Sequence, residues 1–190
     1  MRQLITLMLL TAALVPTGCK QPAVPRPAGY FRIELPEKSY IHYETPCAYS
    51  IEYPAYARIN LRPAAATDTC WMDIELPSFR AMIHLTYFNL DGNLASLTEM
   101  SRELAYKHTI RADAIDEKLW ADDSSHVYGI LYDLKGNTAS SVQFFVTDST
   151  SHYLRGSLYF MAQPNEDSLM PVIRFIREDI IHLIETLNWR

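Results

Sequence analysis

Asp179, His182 and Glu185 stand three residues apart near the C-terminus. On a helix that spacing gathers all three towards one face, and a carboxylate–imidazole–carboxylate set is one a zinc ion accepts. The same spacing also describes the solvated flank of an amphipathic helix, which is the reading preferred here. His84 and His152 fall in alternating, strand-like runs, where a hydrogen-bonded structural histidine is the default. His108 stands at a predicted helix end, where it complements the dipole. No G-x-S-x-G elbow occurs, and the Ser140-Ser141 pair falls where a strand should start. Asp122-Asp123 and Glu178-Asp179 are adjacent acids of the kind that decorate surfaces. Six scattered glycines build no phosphate cradle. The pattern leads to the expectation of no cofactor and no enzyme, with a metal-dependent hydrolase on His182 and its neighbouring acids as the remote alternative.

Cysteine offers different chemistry. Leu4 to Val15 is an apolar run of twelve residues interrupted only by Thr6 and Thr11, with Arg2 before it. It is too short for a helix across a bilayer core of roughly 30 Å, but it suits the hydrophobic region of a secretory signal. It runs through Pro16, Thr17 and Gly18 into Cys19 and so resembles a bacterial lipoprotein signal, although Pro16 stands where an aliphatic residue is usual. In such signals the cysteine sulfur is acylated and becomes the first mature residue. Two or three acyl chains, at about 0.8 kcal/mol per buried methylene, would anchor the chain firmly.

Residues 1–18 are thus read as signal and 19–29 as lipidated cysteine plus tether. "KQPAVPRPAG" carries three prolines in ten residues and favours extended geometry that spans roughly 30 Å. No acidic residue follows Cys19 directly, which points to a periplasm-facing anchor. With Cys19 acylated, Cys47 and Cys70 remain as an even pair in an oxidising compartment, and a structural disulfide is expected. A metal pair or a reactive thiol is the other reading, but neither cysteine has a C-x-x-C neighbour.

The formal net charge is −5, and removing residues 1–18 takes away only Arg2. That balance, without a basic stripe, argues against a nucleic-acid partner. Residues 30–190 are long enough for one domain with a sizeable core.

The hydrophobic period supplies the elements. An edge strand and turn are expected within Tyr30 to Tyr43, a strand at Tyr49 to Pro54, and irregular chain from Arg58 to Thr69. Cys70 to Leu76 and Arg80 to Phe88 predict a hairpin around Pro77-Ser78. Leu94, Leu97, Met100, Leu104 and Ala105 predict a helix to about Lys107, with Ser96 and Glu99 as a capping box. "VYGILYDL", "SSVQFFVTD" and "HYLRGSLYF" predict a three-stranded antiparallel meander. Its aromatic residues are either covered on both faces or form a docking patch. Leu169, Ile173, Ile176, Ile180, Leu183 and Leu187 predict a C-terminal helix of about 20 residues, capped by Asp167 or Ser168. This is an α+β fold: an antiparallel sheet packed by helices. It is similar at fold level to the PsbP-like α/β/α sandwich.

"KHTIRA" (107–112), "GNTASSVQFFVTDST" (136–150), "RGSLYF" (155–160), "PNEDSL" (164–169) and "HLIETLNW" (182–189), with the opening "PAGYFRIELPEKSY" (27–40), together resemble the gliding-motility lipoprotein GldD family of Bacteroidetes. The resemblance covers nearly the whole mature chain. It implies a cell-envelope lipoprotein needed for gliding and linked to type IX protein secretion, with motility or secretion proteins as partners. No catalytic residue comes with it. A small-ligand or cell-wall-glycan binding domain is the alternative.

Metabolic labelling with palmitate should tag the protein, and Cys19→Ala should lose both label and membrane association; a variant that keeps both refutes the anchor. Mass analysis of periplasmic material should find Cys47 and Cys70 oxidised, and two free thiols would overturn that pairing.

Overall fold

Strand β8, Ser140–Thr147, is buried at all eight positions, so both faces of the sheet containing it must be covered. The computed structural model describes residues 32–62, 69–107, 112–162 and 165–190. Along the chain come β1 (Tyr40–Glu44), β2 (Tyr49–Pro54), β3 (Arg58–Arg62), β4 (Thr69–Leu76), a 3₁₀ turn (Pro77–Phe79) and β5 (Ala81–Asn89). Then follow α1 (Leu94–Tyr106), β6 (Ala112–Asp122), β7 (Val127–Gly136), β8, β9 (His152–Phe160), α2 (Glu166–Glu185) and β10 (Asn188–Trp189).

Seven strands form one sheet in the order β3-β4-β5-β9-β8-β7-β6, and β1-β2-β10 form a small second sheet. Every pairing is antiparallel. The expected meander is present as β7-β8-β9, and the expected hairpin as β4-β5. Two strands appear where none was expected. Arg58–Arg62 pairs with β4 instead of running irregularly, and Ala112–Asp122 forms the far edge against β7. Both are edge strands with mostly exposed side chains, so burial imprinted no clean alternation on them.

One sheet face carries Ile74, Ile83, Leu85, Leu131, Val142, Phe144, Leu154 and Leu158, packed with Ile176, Ile180 and Leu183 of α2 and with Tyr49 and Ile51 of the small sheet. The other face carries Tyr132, Phe145 and Tyr153, packed with Leu97 and Ala105 of α1. Tyr153 donates to the Leu97 carbonyl at 3.0 Å and lies 2.8 Å from the Ser101 hydroxyl. The meander aromatics are therefore mostly core; Tyr128, Tyr159 and Phe160 are half-buried. Gly156 lies directly under the Phe144 ring, leaving no room for a Cβ.

Helix ends differ from the sequence expectation. No side chain caps α1 at Asn93, and Glu99 pairs with Arg102 instead of closing a capping box. Helix α2 is capped by Asn165 and not by Asp167 or Ser168, so it begins earlier than expected, and the Asn165 side chain accepts from the Ser168 N–H. The start of α2 is further fixed by Glu166, which accepts from the Gly136 N–H at 2.6 Å.

A polar cluster bolts α2 to the chain entering the domain. Asp179 is fully buried. Its carboxylate accepts from Lys38 Nζ at 2.6 Å, Tyr40 Oη at 3.0 Å and Tyr56 Oη at 2.5 Å. Lys38 also donates to the Phe175 carbonyl and lies 3.6 Å over the Phe175 ring. Burial, reinforced by the Asp179 carboxylate, raises both phenols well above their ordinary range. Tyr40 stacks on His182, which reaches Glu52 at 2.7 Å.

The β8–β9 turn is held by Asp148. Its Oδ1 accepts from the N–H groups of Thr150, Ser151 and His152, and its Oδ2 from the Thr150 hydroxyl. Burial works to raise this carboxyl, but the converging donors outweigh it and bring it from 3.8 down to about 2.

Asp179→Ala should lower unfolding stability by about 3 kcal/mol, because it removes the buried acceptor shared by a half-buried ammonium and two half-buried phenols; a urea-measured loss below about 1 kcal/mol would contradict the bolt. Because the folded-state carboxyl of Asp148 is depressed, its contribution is complete above the ordinary value of 3.8 and is lost as pH falls towards about 2. Asp148→Asn should unfold more easily at neutral pH and show a flatter decline across that acid window; parallel pH profiles would exclude the effect.

Candidate functional site

At one end of the large sheet the β6–β7 and β8–β9 turns meet the C-terminal strand and enclose a cleft of about 510 Å³. Ser124, Ser125 and His126 line it from the first turn, Asp148, Thr150 and His152 from the second, and Asn188, Trp189 and Arg190 from the chain end. The first turn forms because Asp122 Oδ1 accepts from the Ser124 N–H at 2.9 Å and its hydroxyl at 2.6 Å. Those bonds from Ser124, and a further one from Ser125, lower the Asp122 carboxyl. His126 then takes φ of 50°, and Ser149 in the second turn takes 68°. Left-handed backbone at two residues other than glycine costs of order 1 kcal/mol each and persists only where the surroundings impose it.

The cleft wall is a chain of contacts. Trp189 Nε1 donates to the His126 carbonyl at 3.1 Å. The indole stacks on His152, with ring centres 5.3 Å apart and planes 10° apart, and meets Tyr49 edge-on. Tyr87 Oη donates to Asn89 Oδ1 at 2.9 Å and sits 2.6 Å from His152 Nδ1. A phenol has a single proton, so His152 Nδ1 must donate to it, which leaves Nε2 as the open atom of the ring. Arg190 reaches the carbonyls of Thr45 and Cys47 and the Glu44 carboxylate. Cys47 is joined to Cys70 with Cα atoms 6.0 Å apart, so the β1–β2 turn under Arg190 is tied to β4. The cleft presents hydroxyls, two imidazoles, an amide and one indole edge, an assortment suited to a polar ligand or an extended peptide.

Of the residues singled out in the sequence, His152 lines the cleft, and the others that the structure describes lie elsewhere. Asp179 and His182 share a side of α2 with Tyr40 between them, but each is committed to its own partner. Glu185 is exposed. Among the described residues no group of three His, Cys, Asp or Glu side chains could hold a metal ion. His84 Nδ1 lies 2.6 Å from Asp73, which also pairs with Arg62 at 2.8 Å. Asp122 shapes a turn, and Asp123 accepts from Tyr128. Ser140 is buried, with its hydroxyl on the Val142 carbonyl. Cys19 and His108 lie outside the described residues. Sequence reading missed the cleft because turns from three distant segments build it. Its one local signal is the run Asp122-Asp123-Ser124-Ser125-His126, a turn-forming string between two strands.

The architecture has known counterparts. The solution structure of cyanobacterial PsbP (CyanoP) from Synechocystis sp. PCC 6803 superposes with a TM-score of 0.51 over 84% of this chain and 98% of that one, at 9% identity. Such a likeness shows the fold and supports the α/β/α expectation. No curated protein matches the sequence. The family model for gliding motility lipoprotein GldD matches residues 20–189. With that match spanning nearly the whole chain and the fold agreeing with the sequence expectation, this protein belongs to the gliding motility lipoprotein GldD family.

Proposed function

We propose that this lipoprotein serves gliding motility and type IX protein secretion as a non-enzymatic binding or assembly factor. Lipid on Cys19 would hold it to the envelope with its domain facing the periplasm. The observation that carries the reading is the family match over residues 20–189. The cleft adds a place for the work. It is a cleft of about 510 Å³, and its wall is fastened by Trp189, Arg190 and two turn residues with strained backbone. A partner segment seating there would meet a preformed surface and lose little to reorganisation.

The polar lining also favours a second reading, recognition of a small polar ligand or a cell-wall glycan. Sugar stacking needs a free aromatic face, and His152 already covers one face of Trp189. That weighs towards hydrogen bonding along the cleft and away from a stacking platform.

Ser125→Arg, which fills the cleft from a turn without touching the core, should impair gliding and export of secreted cargo while leaving protein level unchanged. Normal motility and secretion in that strain would remove the cleft from the proposal, and the same outcome in a deletion strain would remove the proposal itself. Co-sedimentation of the detergent-solubilised protein with purified sacculi separates the two readings, since only the glycan reading expects it.

A further inference from the structure

The face of the large sheet that carries α1 is covered by that helix only in part. Beyond the Phe145–Tyr153 end, the strands carry polar side chains on this face. Register places Trp71, Thr86, Arg155 and Phe145 in one row across β4, β5, β9 and β8. Asp73, His84, Ser157, Gln143 and Tyr132 form the next row. Neighbouring strands are about 4.8 Å apart, so Trp71 and Arg155 flank Thr86 at about 10 Å from one another.

Three of these side chains hold buried polar atoms with no hydrogen-bond partner: Trp71 Nε1, Gln143 Nε2 and Tyr132 Oη. Gln143 is 2% exposed and is not an atom of a solvated rim. Arg155, lodged between Thr86 and Phe145, donates through Nη2 to Gln143 Oε1 at 2.6 Å. Among the described residues no carboxylate pairs with it, and its other N–H groups find no acceptor. Asp73, one row away, is taken up by Arg62 and His84. Glu75, further along β4, accepts from Asn60. Partial burial lowers the Arg155 guanidinium.

A half-buried guanidinium beside unfilled N–H donors is costly to keep. Structural arginines avoid the cost by pairing, as Arg177 does with both oxygens of Asp133 at 2.6 and 2.7 Å. Arg155 lacks such a partner among the described residues, and the two buried unfilled nitrogens in these rows, Trp71 Nε1 and Gln143 Nε2, are donors. We propose that this face is an oxyanion-binding site. Arg155 receives a carboxylate or phosphate group through its free N–H edge, and the Thr86 hydroxyl and the Trp71 and Gln143 N–H groups complete the cradle. This site is separate from the sheet-end cleft and does not rest on the function proposed for it.

The test is a titration of the ¹⁵N-labelled mature lipoprotein in detergent, with the Trp71 indole N–H as reporter. Sodium phosphate and sodium acetate are added in separate arms, each against sodium chloride at matched ionic strength. The site predicts a saturable displacement of that resonance with phosphate or acetate and none with chloride; the arm that saturates names the source of the oxyanion. Arg155→Gln should abolish the response, and Arg155→Lys should weaken it, since an ammonium keeps the charge but not the fork. A linear drift equal to chloride in both arms, or an Arg155→Gln protein that responds as the wild type does, overturns the proposal. If neither variant folds, the comparison of anions on the wild-type protein decides alone.

Discussion

A strand with no solvent face dictates the rest of this molecule. Because β8 buries all eight of its residues, hydrophobic cover is required on both sides of the sheet, and the chain supplies two unequal covers. Helix α2 and the three-stranded sheet close one side with aliphatic packing. Helix α1 is 13 residues long, roughly 20 Å at 1.5 Å per residue. A seven-stranded sheet measures about 29 Å across at the usual strand spacing, so α1 leaves part of the second side open. Where cover is complete, side chains are chosen for packing. Where it stops, polar groups remain, and these are the places with capacity for recognition.

Completeness of cover also explains what the sequence disclosed. The segments of β5, β7, β8 and β9 lie in the middle of the sheet, and their apolar residues recur with the period of the elements that bury them. Helix α2 shows the same for period 3.6, because Ile173, Ile176, Ile180 and Leu183 all meet the core. Edge strands carry no such imprint. β6 exposes Leu119 at 80% beside Glu117 and Lys118, a pattern that suits a charged, solvated edge and reads as loop. β3 has the same difficulty with Leu61 flanked by Arg58, Asn60 and Arg62.

The candidate sites were less legible for a different reason. The cleft combines residues about 60 positions apart, and the stack of His152 on Trp189 depends on β10 pairing with β2. The Arg155 surface depends on the register of β5, β9 and β8, which a one-residue slip would turn over. Asp179 shows the converse. The sequence marked it as a possible metal ligand because carboxylate and histidine recur at helical spacing. Its actual use is set by Lys38, Tyr40 and Tyr56, which arrive from the other end of the chain. Spacing along one element fixes a face but not what that face meets.

The two sites differ in what they ask of a ligand, and this bears on how one fold serves different partners. The cleft is lined by neutral donors and acceptors, and its charged members, Asp148 and Arg190, are already satisfied by turn amides and by backbone carbonyls. A molecule entering it is recognised by shape and hydrogen bonding, with weak dependence on salt. The surface around Arg155 has two buried unfilled N–H donors and a cation with no carboxylate partner among the described residues, so recognition there is electrostatic and strengthened by partial burial. A likeness of 9% identity to CyanoP shows the fold alone and says nothing of these side chains. The capacity of this chain for recognition therefore lies in the turns at one sheet end and in the parts of the polar rows that α1 leaves uncovered.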